Sequence, residues 1–155
     1  MNGVAITFLG AALAAALACI GSAIGVQSAG KAAAGVVSEK PELFGKMLIL
    51  QALPGTQGIY GFLIGVLILV FSGIMGGDAS AITMEQGWMY LFAGLPIGIV
   101  GLLSGIAQGN TAVSAIHMTA KQPDASAKGI TMTALVETYA ILALLVSVLL
   151  LISIK

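Results

Sequence analysis

Four stretches of this chain are each long and apolar enough to cross a lipid bilayer, and this constrains its fold more than any other feature. A membrane helix needs about 20 mostly apolar residues. The four stretches are residues 4–34, 44–74, 88–117 and 130–154. Several exceed the length that one bilayer requires, so their ends should project into water or the helices should tilt. The sequence therefore predicts an all-α membrane protein with four transmembrane helices.

The composition excludes the soluble classes. The chain is 59% hydrophobic and 8% charged, with a mean hydropathy of +1.09, whereas an average soluble domain is about 25% charged. Zero net charge and the lack of arginine argue against a nucleic-acid partner. The single cysteine, Cys19, excludes an internal disulfide. The chain has no catalytic triad, no metal-spaced His/Cys cluster and no nucleotide motif, so we expect no catalytic site in it.

The lysines predict how the chain is oriented in the cell membrane. Those near the connections are Lys31, Lys40 and Lys46 at the first, and Lys121 and Lys128 at the third. The middle connection carries Asp78 and Glu85 but no lysine. The positive-inside rule then predicts a multi-pass protein with the first and third loops in the cytoplasm, and both termini and the middle loop outside. Lys155 alone argues weakly for the reverse.

The chain also reads as a duplicated hairpin. Pro41 and Pro123 lie in matching loops, at an offset of 82 in the numbering. The same offset aligns Ser22 with Ser104, Ile24 with Ile106, Lys46 with Lys128, Leu53 with Leu135, Thr56 with Thr138, Ile59 with Ile141, Leu63 with Leu145 and Leu67 with Leu149. This predicts two hairpins of the same orientation, residues 1–77 and residues 78–155. Glu137 in the second hairpin aligns with Gly55, so only one copy carries an acid at that depth.

Two helices carry stripes of small residues. The stripe on the third span is Gly94, Gly98, Gly101, Gly105 and Gly109, and that on the first is Ala14, Ala18, Gly21, Gly25, Ser28, Ala32 and Gly35. Small residues let membrane helices approach closely, because lipid provides no hydrophobic drive between them. Such stripes fit pairing inside a monomeric bundle or the inner layer of an oligomeric ring, and periodicity alone does not separate the two.

Glu137 lies well inside the fourth span, whereas the other five acids lie in or beside loops. A charge at this depth costs a few kcal/mol or more, so it marks a functional site rather than a packing residue. Glu137 follows Pro123 by 14 residues, and Gln108 precedes Pro123 by 15 residues. Both residues therefore lie about 21–23 Å along their helices from the third loop. Gln57 follows Pro41 by a similar length of chain, which places it at nearly the same depth.

The second span adds further oxygen ligands. Leu53, Thr56, Gln57 and Tyr60 share one helix face, and Pro54 leaves the Leu50 carbonyl without its helical donor. A carboxylate, two amide oxygens and a hydroxyl suit a hard cation. One negative charge suits a monovalent ion, because the loaded site is then neutral. A proton would leave the extra oxygens surplus, so Na⁺ is preferred over H⁺, and Tyr60 could hydrogen-bond the carboxylate.

Three motifs carry a family resemblance. Residues 53–61 (LPGTQGIYG), 105–109 (GIAQG) and 136–141 (VETYAI) resemble the rotor-ring proteolipids of V-type ATPases. The four-span form with one carboxylate is similar to the K subunits of bacterial Na⁺-transporting enzymes. The resemblance covers essentially the whole chain.

The resemblance implies a homo-oligomeric ring in lipid, with the first and third spans inside and the second and fourth outside. Its implied ion ligands are the Leu53 carbonyl, Thr56, Gln57, Gln108 and Glu137, with Tyr60 as the hydrogen-bond partner of the carboxylate. It also implies a stator subunit with a buried arginine and a central stalk turned by ATP hydrolysis in soluble subunits. The ordinary helix rule frees the Leu50 carbonyl rather than that of Leu53, so the sequence leaves open how the helix opens.

Two alternatives to a Na⁺-coupled ring remain, and a third is excluded. The same ring could carry H⁺. A small stand-alone cation-coupled transporter also fits four helices and one membrane glutamate, but it gives no reason for a duplicated hairpin with two glutamines level with the acid. A structural scaffold is contradicted by the cost of burying Glu137.

Overall fold

The computed structural model describes residues 2–77 and 82–154. Its α-helices are α1 (Gly3–Glu39), α2 (Phe44–Ala52), α3 (Thr56–Phe71), α4 (Met84–Lys121) and α5 (Ser126–Ser153). Short 3₁₀ turns lie at Pro41–Leu43, Leu53–Gly55, Ile74–Gly76 and Pro123–Ala125. Four spans are long and apolar enough to cross a membrane: Gly3–Glu39, Pro41–Phe71, Met84–Lys121 and Pro123–Ser153. The predicted four-span all-α architecture is confirmed.

The first and third loops have the same backbone conformation. Lys40 ends α1 with φ −133° and ψ 73°, and Gln122 ends α4 with φ −136° and ψ 87°. Each precedes a proline, which disfavours the α region for the residue before it and so terminates the helix. The Lys40 ammonium donates to the Ala120 carbonyl at 2.6 Å, and the Lys46 ammonium donates to the Pro123 carbonyl at 2.8 Å. These bonds hold both loops at one end of the bundle, as two hairpins of the same orientation require.

The opposite end is built from caps and glycine turns. Asn2 caps α1 by accepting from the Ala5 N–H, and Thr83 caps α4 in a reciprocal capping box with Gln86. Span two ends in a turn with glycine at the left-handed positions 73 and 77 (φ 76° and 85°). Asp78 and Lys155, which enter the predicted topology, lie outside the described residues.

The centre of the bundle is the pairing of α1 with α4. Gly105 packs so closely that a Cβ there would lie 2.7 Å from the Gly21 carbonyl carbon and 2.9 Å from the Ser22 nitrogen. All five glycines of the predicted α4 stripe are buried. Since both neighbours of Gly105 are backbone atoms, only a residue without a side chain fits there. Span two packs on this pair, and α5 packs on α4 and on span two.

The predicted stripe on α1 is correct as far as Gly25 and wrong beyond it. Ala14, Ala18, Gly21 and Gly25 are buried, but Ser28 and Ala32 are half-buried and Gly35 is exposed. Ala29 and Ala33 take the contact instead. The stripe continues in steps of four residues, whereas the prediction alternated steps of three and four and so turned away from α4.

One proline lies inside α4 without breaking it. Pro96 has no N–H to donate, and its ring disturbs the preceding turn. The next N–H, of Ile97, donates to the Ser147 hydroxyl of α5 at 3.2 Å. A side chain from the neighbouring span thus satisfies a backbone donor in the membrane, where water is not present to do so.

An intramembrane carboxylate and amide site

Span two opens at Pro54 through a 3₁₀ turn. The turn covers Leu53–Gly55, and the Thr56 N–H donates to the Leu53 carbonyl, which an α-helix would pair with the N–H of Gln57. The Thr56 hydroxyl donates to the same carbonyl at 3.2 Å. The Leu53 carbonyl therefore accepts from both the backbone and the side chain of Thr56, in a 3₁₀ rather than an α-helical pattern.

A new helix, α3, begins at Thr56 in the middle of the span. The first N–H groups of any helix lack partners within it. One of them, the Gly58 N–H, donates to the Ser22 hydroxyl of α1 at 2.8 Å. Ser22 was not predicted, although counting from Pro41 would have found it, because Ser22 precedes this proline by nearly as much chain as Gly58 follows it.

Two fully buried amides link three spans at this depth. Gln57 and Gln108 are both 0% exposed. The Gln57 amide Nε2 donates to Gln108 Oε1, and Gln108 Nε2 donates to the Thr133 carbonyl of α5 at 3.2 Å. The Thr56 hydroxyl lies 3.5 Å from Gln57 Oε1. The backbone carbonyl of Thr133 was not predicted, because an ordinary helical carbonyl has no sequence signature.

The carboxylate of Glu137 is held by a phenol from span two. The Tyr60 hydroxyl donates to Glu137 Oε1, and Thr56 approaches the same phenol from one turn away. Both Tyr60 and Glu137 are half-buried. The preceding lysine on this span, Lys128, is 9 residues away, or about 13 Å along the helix. The carboxylate thus has a hydrogen-bond donor but no lysine at its own level on α5.

The six predicted groups therefore form two hydrogen-bonded sets. Leu53, Thr56, Gln57 and Gln108 form one, and Tyr60 with Glu137 forms the other; Thr56 lies beside both. Together the two sets offer carbonyl, hydroxyl, amide and carboxylate oxygens, which are ligands for a hard cation. No group of three His, Cys, Asp or Glu side chains that could hold a metal ion occurs among the described residues.

A four-span bundle with a hydrogen-bonded carboxylate in the middle of one span is typical of one class of protein, the small membrane proteolipids that carry an intramembrane acid. Comparison with known proteins agrees. The profile of the family described as the ATP synthase C subunit matches twice, at residues 9–68 and 91–150. The second match is displaced from the first by the same offset of 82 that relates the two loop prolines.

Individual relatives are similar along most of the chain. V-type sodium ATPase subunit K of Enterococcus hirae is 48% identical over 149 residues, which are 96% of this chain and 92% of that protein. A-type ATP synthase subunit K of Methanocaldococcus jannaschii is 46% identical over 94% of this chain and 62% of its own length. The c′ subunit of the V-type proton ATPase of Candida glabrata is 40% identical over 66% of this chain and 60% of its own length.

The chain belongs to this ATP synthase family, among the rotor-ring proteolipids of V-type ATPases. The family predicted from the three motifs is confirmed, and so is a multi-pass membrane protein.

Proposed function

We propose that this rotor-ring proteolipid carries Na⁺ across the membrane on Glu137. The observation that carries the proposal is the pairing of this carboxylate with Tyr60, beside a buried set of neutral oxygens from Leu53, Thr56 and the two glutamines. In the loaded site the carboxylate supplies the charge, and the carbonyl, hydroxyl and amide oxygens replace the water that Na⁺ leaves behind.

Electrostatics favours a monovalent cargo. One carboxylate and one Na⁺ sum to zero charge, so the loaded site can pass lipid, whereas a divalent ion would leave a net positive charge in a low dielectric. A proton would also neutralise Glu137, and this H⁺-coupled ring is the second candidate. The neutral ligands favour Na⁺, since a proton does not need them. The relative named as a sodium ATPase subunit is 48% identical to this chain, and the Candida glabrata relative named for protons is 40% identical over a shorter stretch.

The ring and its partners complete the mechanism. Copies of the chain assemble around an axis, with α1 and α4 inside and span two and α5 facing lipid. ATP hydrolysis in soluble subunits turns a central stalk attached to the ring. Beside a stator subunit, a buried arginine attracts the emptied carboxylate, and each Glu137 exchanges its ion there. The lysine-rich first and third loops face the cytoplasm, and the middle loop and both termini face outward.

Each chain contributes one ion site through its two hairpins. Residues 1–77 form the first hairpin and supply Leu53, Thr56, Gln57 and Tyr60. Residues 78–155 form the second and supply Gln108 and Glu137. Because Gly55 stands where the repeat would place an acid, the first hairpin carries no charge of its own at that depth.

The test is carbodiimide labelling of Glu137 in purified rings. A carbodiimide attacks a protonated carboxyl, and Na⁺ binding requires the ionised form, so Na⁺ should suppress labelling. Protection should weaken as the pH falls, because proton and Na⁺ compete for the same oxygens. The labelled residue is identified by mass spectrometry of the digested protein.

Glu137→Gln is the matched variant, since it keeps size and hydrogen-bonding capacity but loses the charge. It should abolish both labelling and ATP-driven ²²Na⁺ uptake into vesicles. If millimolar Na⁺ left the labelling rate unchanged near neutral pH, the cargo would be H⁺. Normal transport by Glu137→Gln would overturn the carboxylate mechanism itself.

A further inference from the structure

A second tyrosine stands exposed at the depth of the ion site. Tyr139 is 67% exposed. It follows Glu137 by two residues, which turns it about 200° around α5 and away from Tyr60. A phenol hydroxyl in contact with hydrocarbon lacks the hydrogen bonds it would have in water. We therefore expect the Tyr139 side chain to contact a protein surface rather than lipid.

A cavity at the same depth lies in the first hairpin. It has a volume of about 360 Å³ and lies between α1 and span two. It is lined by Cys19, Ser22, Gly55, Gly58, Ile59 and Phe62. Cys19 is exposed. The cavity is formed by the first hairpin, at the level where the repeat has lost its acid.

The internal repeat connects these two features. Within one chain, Gln57 packs against α4: its Cβ lies 3.8 Å from where a Cβ of Gly101 would stand, and its amide bonds to Gln108. Adding 82 to Gln57 gives Tyr139, and subtracting 82 from Gly101 gives Cys19. In a ring of alternating hairpins, the second hairpin of one copy meets the first hairpin of the next copy as the two hairpins meet within a chain.

We propose that Tyr139 of each copy inserts into the cavity at Cys19 and Ser22 of the next copy. The phenol occupies the place that Gln57 occupies at the ion site. By the repeat, Val26 corresponds to Gln108 and Gly55 to Glu137; Gly55 lines the cavity, and the Val26 side chain lies 3.7 Å from a Cβ built on Gly55. The inference rests on the ring of the proposed function. It makes every second hairpin interface a packing contact filled by an aromatic ring, without an ion.

The native cysteine provides the experiment. Cys19 is the only cysteine of the chain, so Tyr139→Cys creates one possible pair. By the repeat, the two Cβ atoms should lie near the 3.8 Å found for the equivalent pair, which is about the mean Cβ separation of a disulfide. Oxidation of assembled Tyr139→Cys rings with copper phenanthroline should therefore give a ladder of covalent dimers and higher oligomers on denaturing gels.

Ile141→Cys is the control, because it lies two residues further along α5 on the opposite side of the helix. We expect Tyr139→Cys to cross-link at least about tenfold faster, since a disulfide tolerates only a narrow range of Cβ distances. Tyr139→Cys combined with Cys19→Ala should give no dimers. In wild-type rings, Cys19 should react with N-ethylmaleimide only after the ring is dissociated.

The outcomes separate this inference from the ring on which it rests. Native mass spectrometry of each variant reports whether the ring is assembled. A wild-type monomer would refute the ring. Assembled rings in which Ile141→Cys cross-links as fast as Tyr139→Cys, or in which wild-type Cys19 reacts freely, would overturn the placement of Tyr139 and leave the ion site untouched. If Tyr139→Cys does not assemble, the wild-type alkylation result decides.

Discussion

Removing the phenol hydroxyl by Tyr60→Phe should weaken Na⁺ binding about fivefold to tenfold. The hydroxyl donates to Glu137 Oε1, and its contribution depends on the charge of the acceptor. A hydrogen bond to a charged group is worth about 1.5–3 kcal/mol, and one between neutral groups about 0.5–1.5 kcal/mol. In the proposed function Na⁺ binds the ionised carboxylate, and an empty site can pass lipid only with a neutral carboxyl group. The variant therefore loses the difference, about 1–1.5 kcal/mol, which corresponds to a fivefold to tenfold change in affinity.

The assay is the Na⁺ concentration that halves the rate of carbodiimide labelling of Glu137 at fixed pH. That concentration should rise about fivefold to tenfold in Tyr60→Phe, while labelling without Na⁺ persists. Tyr139→Phe is the matched control, since it removes the same hydroxyl at nearly the same depth from the other side of α5, and it should leave the value unchanged. A shift below twofold in Tyr60→Phe, or an equal shift in Tyr139→Phe, would refute the role given to this hydrogen bond.

Three further results are expected. Gln108→Ala removes one of the proposed neutral ligands and leaves the buried Gln57 amide without its acceptor, so Na⁺ protection should weaken by more than in Tyr60→Phe while Glu137 still reacts. Equal protection in mutant and wild type would remove Gln108 from the site. Gly105→Leu should break the detergent-stable ring expected in native mass spectrometry, because the atoms nearest to its Cβ are backbone atoms of α1. Gly45→Leu is the control and should keep the ring, since nothing lies within 4 Å of a Cβ there. Cysteines introduced near position 122 should react with an impermeant thiol reagent only from the cytoplasmic side and those near position 78 only from outside, and the reverse pattern would invert the topology.

The bundle could be predicted from the sequence because lipid leaves few options. Four apolar stretches must be helices, and the constant offset that relates Pro41 to Pro123 places the two hairpins side by side in the same orientation. The α1 stripe was predicted less well. The choice between Ser28 and Ala29 depends on the crossing of α1 over α4, which the helical period alone does not determine.

The depth of the site was also predictable, because each helical residue adds a fixed rise. Counting from the loop prolines placed Gln57 level with Gln108, and in the structure the two are hydrogen-bonded. The missed partners are of another kind. Ser22 accepts from the Gly58 N–H, which lies in the first turn of the helix that begins after Pro54. The Thr133 carbonyl accepts from the Gln108 amide, and this contact depends on the rotamer of Gln108. Counting from Pro41 gives the depth of Ser22 but not its partner, and the Thr133 carbonyl has no sequence signature, so both contacts follow from tertiary packing.

The two membrane prolines show why only one of them can serve the site. In both spans a serine from a neighbouring helix accepts a backbone N–H close to the proline: Ser22 accepts from Gly58, and Ser147 accepts from Ile97. Around Pro96 the helix nevertheless continues, whereas Pro54 is followed by glycine, a weak helix former, and the backbone tightens into a 3₁₀ turn.

The two prolines also differ in their depth relative to Glu137. Pro96 lies 27 residues before Pro123, about 40 Å along α4 and so about 20 Å from the plane of Glu137. The Pro54 turn lies within four residues of Gln57. A polar backbone in lipid is tolerated only where protein covers it. Such a turn is therefore costly at any depth, but in the proposed site only a turn at this depth brings its carbonyl oxygen level with those of the carboxylate and the amides.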